Sequence, residues 1–185
     1  MNPKLASKLL NTYLELYSEH DRPPSESLMC FGFEVGDGWF NIIDTLSRSI
    51  LFHIKSEIDH EIFLRENRCF RRIFVGLRHS WNTWNWYKYV WRNIKEYIRL
   101  RCPLDIDSMQ VHAVQVKEKF GGLRFYVSGG DNEVYGMITM AEAMSYVICE
   151  DCGKPGALHH RGGWLKTVCT ECALKLEYIK GPDEI

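Results

Sequence analysis

No stretch of this 185-residue chain approaches the ~18 consecutive apolar residues that a membrane-spanning helix needs. No Gly-rich phosphate loop, Gly-x-Ser-x-Gly nucleophile elbow or His-Glu-x-x-His zinc-protease motif is present, and there is neither an internal repeat nor a low-complexity segment. These absences remove the function classes most easily read from sequence. The N-terminus carries charge and no signal-peptide cleavage pattern, so the expected setting is cytoplasmic. Hydrophobic residues at 45% and charged ones at 25% are ordinary for a globular protein with a real core.

Net charge is also nearly absent, but its distribution is uneven. Residues 1–64 carry ten acidic side chains against five basic, whereas residues 65–101 carry ten basic against two acidic. The seven cysteines are an odd number, which suits reduced thiols better than a disulfide framework. Cys30, Cys69 and Cys102 lack close partners in sequence. The other four form two pairs, Cys149-Glu-Asp-Cys152 and Cys169-Thr-Glu-Cys172, separated by sixteen residues.

That spacing lets two tight turns aim four thiolates at one tetrahedral ion. Four cysteines fill the shell, so one structural Zn2+ is expected and no position stays open for a catalytic water. The ion would replace the core that so short a segment cannot build for itself. Gly153 and Pro155-Gly156 fit a metal knuckle, and Gly162-Gly163 between Leu158–Arg161 and Trp164–Val168 predicts a hairpin. A helix should open at the second pair and run to Gly181-Pro182. Knuckle, hairpin and helix resemble a treble-clef zinc finger. His159 and His160 could replace a cysteine or act as a nuclease base, but beside four thiolates they are expected to be exposed hairpin residues.

Upstream, the spacing of Leu5, Leu9, Tyr13, Leu16 and Tyr17 predicts a helix over 3–20. Asp37 is placed to cap a second helix over 38–56, whose apolar stripe runs through Trp39, Ile42, Ile43, Leu46 and Ile50 with Asp44, Ser47 and Arg48 outside it. His53, Glu57 and His60 share a helical face there, a weak metal constellation.

Five arginines lead into Trp81, Trp84 and Trp86, and a helix over 86–101 would carry Lys88, Arg92, Lys95 and Arg99 as one basic stripe. Cations displace phosphate counterions and aromatic faces stack on bases, so this stretch is a candidate nucleic-acid surface. Tryptophans at helical spacing serve equally well as core.

From 110 to 127 the period becomes that of strands, with Gly121-Gly122 as a two-residue hairpin turn. That register puts Lys119 opposite Arg124 and Lys117 opposite Tyr126. Like charges directly opposed repel, so an anion or an internal acid such as Glu118 of a partner or Asp131 is expected to compensate them. Ser128–Asn132 then caps a helix over 132–146.

The block Phe31-Gly-Phe-Glu-Val-Gly-Asp-Gly-Trp39 through Asp44, the Gln115–Tyr126 hairpin and the Cys149–Gly156 knuckle resemble small phage- and prophage-encoded proteins. The resemblance spans roughly residues 28–54 and 110–172 and carries no activity with it. It implies a phage product in a bacterial cytoplasm, where such products bind host macromolecules or blunt host defences.

The expectation is therefore an α+β protein, with an α+β domain over 1–146 and a zinc finger over 147–180 packed on it. The expected function is non-catalytic binding of nucleic acid or an acidic host-protein surface. Alternatives are a counter-defence protein that binds a defence enzyme or sequesters a nucleotide through Lys117, Lys119, Arg124 and Tyr126, and a zinc-supported nuclease.

Overall fold

The computed structural model describes residues 1–66 and 105–180. The helix expected over 86–101 and the candidates Trp81, Trp84, Trp86, Lys88, Arg92, Lys95 and Arg99 lie outside them. The fold is α+β. It divides into one unit of residues 1–54 with 110–185 and a second of 55–109.

Helix α1 (Pro3–Thr12) is capped by Asn2, whose side chain accepts from the Lys4 amide. It stops well short of residue 20, a correction to the expected span. Leu16 and Tyr17 keep the helical spacing, but the Leu16 carbonyl accepts from the Ala113 amide at 2.7 Å, and the Tyr13 and Tyr17 hydroxyls reach Asp44 and Ser47. Tertiary partners win over helical periodicity here. Helix α2 (Phe40–Glu66) is longer than expected, since no glycine or proline interrupts it. Ser47 is not on a solvated face but buried, bonded to the Tyr17 hydroxyl at 2.6 Å and to the Ile43 carbonyl at 2.7 Å.

Strands β1 (Phe33–Glu34), β2 (His112–Lys119) and β3 (Gly122–Ser128) form one sheet, β1 parallel and β3 antiparallel to β2. The β2–β3 turn is Phe120-Gly121 rather than Gly121-Gly122, so Lys119 pairs with Gly122, Lys117 with Arg124 and Gln115 with Tyr126. A Gly-Gly pair permits either register. The Tyr146 ring occupies the space a Cβ on Gly122 would need, so only glycine fits at that position. Phe120 is left with φ +54 and Gly121 with φ +79, the two left-handed residues of a type I′ turn.

Helix α3 (Asn132–Ser145) follows, with the Asp131 carboxylate accepting from the Val134 amide as its cap. It also closes the open edge of β3. The Leu123 amide donates to Ser145 Oγ at 2.8 Å and the Phe125 amide to Glu142 Oε1 at 3.0 Å, so two outward amides of that strand are occupied. One core joins these elements through Leu9, Tyr17, Trp39, Ile43, Val116 and Phe125.

The C-terminal part has a sheet ordered β5 (Trp164–Val168), β4 (Ala157–Arg161), β6 (Ile179–Lys180), with helix α4 (Thr170–Leu176) between β5 and β6. Gly162-Gly163 makes the two-residue turn between Arg161 and Trp164 as expected. The last helix is shorter than expected. Glu177 adopts a left-handed conformation that ends it, and Ile179 and Lys180 pair with β4. In the second unit, the end of α2 carries an Arg65–Glu61 pair at 3.1 Å, and a short turn at Asp107–Met109 is held by Ser108 Oγ donating to the Asp105 carbonyl.

Candidate metal centre

The four cysteines come from two turns made for the purpose. In the first, Cys149 donates its amide to the Lys154 carbonyl at 2.7 Å and Gly153 donates to the Cys149 carbonyl at 2.9 Å. Gly153 sits at φ +75, where a side chain would be strained. In the second, Cys169 is the N-cap of α4 and Cys172 lies in its first turn, so helix geometry fixes their offset. Cys149 and Cys169 are buried, Cys172 half-buried and Cys152 exposed.

All four Sγ atoms lie within 4.8 Å of one another, and Cys152 and Cys169 Sγ are 3.6 Å apart. Sulfurs bound to one tetrahedral ion at ~2.3 Å stand roughly 3.8 Å apart. The cluster is therefore within reach of a single metal ion, and an all-sulfur tetrahedral set suits zinc or iron. The thiols also perturb one another. The Cys172 backbone N–H beside Cys169 holds that thiol down at about 7, with neighbouring thiols adding to the effect. Burial and the adjacent Cys169 push the Cys172 thiol up.

Around the cluster, Lys166 Nζ lies 2.7 Å from Asp151 Oδ1 and 3.7 Å from Glu150 Oε2. Glu150 is buried. Its Oε1 accepts from the Gly36 amide at 2.9 Å, while Oε2 has no hydrogen bond. Burial raises its carboxyl above the usual range against the pull of Lys166. Lys154 and Glu171 tie the two cysteine turns together at 2.8 Å.

His159 corrects an expectation. It is buried rather than exposed, with Nδ1 at 2.8 Å from the Ala157 carbonyl, because strand alternation turns it to the inner face while His160 turns away. His53 is likewise grouped differently. Asp131 and Glu133 take the places expected for Glu57 and His60 beside it. His53 Nε2 sits 2.8 Å from Asp131 Oδ2, whose other oxygen caps α3, and Glu133 belongs in a helix's first turn. A cap at Asp131, its contact with His53 and an acid in the first helical turn account for the group.

On the hairpin, Lys117, Lys119, Arg124 and Tyr126 share one face, as they would in the expected register. Lys117 Nζ stands 5.7 Å from the Tyr126 ring centroid and Lys119 Nζ 5.4 Å from that of Phe120. Arg124 is engaged internally, at 2.9 Å from the Tyr146 hydroxyl and 3.9 Å from Glu142. Within the chain the compensating acid is thus Glu142, not Asp131, which bonds His53. Glu118 instead accepts from the Gly121 amide at 2.6 Å. Phe120, 66% exposed at the turn, is hidden from the sequence because a Gly121-Gly122 turn assigns it to a strand.

Compared with protein-family models, with curated proteins and with solved structures, the chain matches none. No helix among the described residues is long and apolar enough to cross a membrane.

Proposed function

We propose that this is a phage-type, non-catalytic zinc-finger protein that acts in a bacterial cytoplasm by binding nucleic acid. One structural Zn2+ on Cys149, Cys152, Cys169 and Cys172 fixes the finger. A lysine and aromatic face then makes the contact. The observation that carries the reading is the closed four-sulfur cluster: with every donor a thiol, the ion shapes the chain and leaves no position for substrate.

The described surface carries Lys119, Lys117 and Tyr126 on one face of the hairpin, with Phe120 at its turn. Lysines there supply phosphate contacts, and the rings supply faces on which bases stack. Phe120 supports this reading by its cost. A bulky residue at φ +54 loses roughly 1–2 kcal/mol, and an exposed ring gains no core burial in return. The basic stripe of Lys88, Arg92, Lys95 and Arg99, with Trp81, Trp84 and Trp86, would extend the contact. The same face would suit an acidic host-protein surface.

The other readings fit less well. Sequestering a nucleotide through Arg124 would require breaking its ties to Tyr146 and Glu142. A nuclease base at His159 would have to work from a buried ring already bonded to the Ala157 carbonyl.

The test is binding of metal-loaded protein to single- and double-stranded oligonucleotides across a salt series. Affinity should fall steeply with salt, and Lys117→Glu/Lys119→Glu should lower the salt slope by about two. Arg92→Glu/Arg99→Glu, run in parallel, measures the share carried by the middle segment. No binding to either form at low salt would overturn the nucleic-acid reading and turn the search to host proteins. Metal analysis should find about one zinc per chain; a coloured preparation rich in iron would overturn the choice of metal.

A further inference from the structure

The first cysteine pair is held from outside its own finger. The Gly36 and Gly38 amides donate to Oε1 and to the backbone carbonyl of Glu150, at 2.9 and 2.7 Å. The Trp39 indole donates to the Ile148 carbonyl at 2.8 Å, 109 residues away in sequence. These bonds bracket Cys149 on both sides. Contact is closest at Gly38. A Cβ there would overlap the Cys149 carbonyl oxygen and the Gly153 amide nitrogen, and would lie 2.7 Å from the Cys152 amide nitrogen, closer than real Cβ atoms come. Gly36 meets the Glu150 carbonyl in the same way. All of these obstructing atoms are backbone and cannot swing aside.

We infer that Gly36–Trp39 is the outer layer of the metal site, a positioning segment that sets metal affinity by fixing the backbone of the Cys149–Cys152 turn. Groups that orient ligands without touching the metal commonly change its affinity by roughly 10–100-fold. Here the device is backbone on backbone. Two glycines allow the approach, and Trp39, wholly buried in the main core, anchors it. The turn is thereby preorganised for the ion by the N-terminal half of the same unit. It also gives the Gly-Asp-Gly-Trp block a purpose within the molecule. The inference rests on the zinc reading of the cluster.

The experiment uses the full chain. Metal content is measured first, because wild-type protein that takes up no zinc would remove the zinc reading before the seat is tested. Zinc affinity is then measured by competition with a chromogenic chelator. Gly38→Ala should bind zinc at least about tenfold more weakly. Trp39→Phe, which keeps the ring in the core and deletes only the donor to Ile148, should bind it several-fold more weakly, and it carries the test if Gly38→Ala fails to fold. Gly136→Ala, at a position where a Cβ meets nothing within 4 Å, should match wild type. Cobalt(II) titration, whose visible bands report tetrahedral thiolate coordination, should reproduce the order. Wild-type zinc binding with both seat variants within twofold of it, or with Gly136→Ala weakened as much, would overturn the inference.

Discussion

Asp131 holds two partners with its two carboxylate oxygens, the Val134 amide at the start of α3 and the His53 ring on α2. Burial alone would raise its carboxyl, but the hydrogen bonds from His53 and Val134 outweigh that and hold it below its ordinary value of 3.8. A carboxyl depressed on folding stabilises the folded state above its unfolded value and loses that contribution as pH falls through the folded one. Asp131→Asn keeps a capping oxygen and loses the charge, so the stability gap to wild type, read by urea denaturation, should be present near neutrality and close below pH 3.8. Asp131→Ala loses the cap as well and should cost about 1 kcal/mol more. Thr167 makes a comparable case in the finger, where its buried hydroxyl donates to the Gly121 carbonyl at 2.6 Å. Thr167→Val keeps the shape and strands that acceptor, for an expected loss of about 1–3 kcal/mol in the same assay.

Among elements, the β2–β3 hairpin separates stability from function most cleanly. Phe120→Asn places a residue suited to the left-handed region before Gly121, so the melting temperature should rise, by the equivalent of roughly 1 kcal/mol. Nucleic-acid affinity should fall in the same variant as the exposed ring and its Lys119 contact are lost. A variant that gains stability and keeps full affinity would remove Phe120 from the binding strip. This hairpin also marks where sequence reading stopped. The four cysteines, the Gly162-Gly163 turn and the Asp131 cap were legible because each is set by residues within a few positions. The Gly121-Gly122 turn was not, since two consecutive glycines permit two local registers. The end of α1 was hidden because Leu16 takes a partner distant in sequence, the Ala113 amide on β2.

At the scale of the whole molecule, apolar burial is divided unequally. The main core draws on twenty buried hydrophobic residues, whereas the finger's own cluster has four, two of them the metal-site cysteines Cys149 and Cys169. On the proposed reading, a segment so poor in apolar burial needs an ion to stay folded, because metal-binding energy stands in for core energy. The main core has no such need. Removing the metal should therefore loosen the molecule in a fixed order. In hydrogen exchange after strong chelation, amides of 149–176 should lose protection first, followed by Gly36 and Gly38, whose acceptors on Glu150 move with the knuckle. The α2 stretch at 40–54 and α3 should stay protected, with the far-ultraviolet helical signal largely kept and a lower melting temperature. Re-addition of zinc should restore protection to 149–176 and, with it, to Gly36 and Gly38. If 40–54 and the finger instead exchanged together, the ion would be holding the whole unit, and the twenty-residue core would be too weak to stand without it.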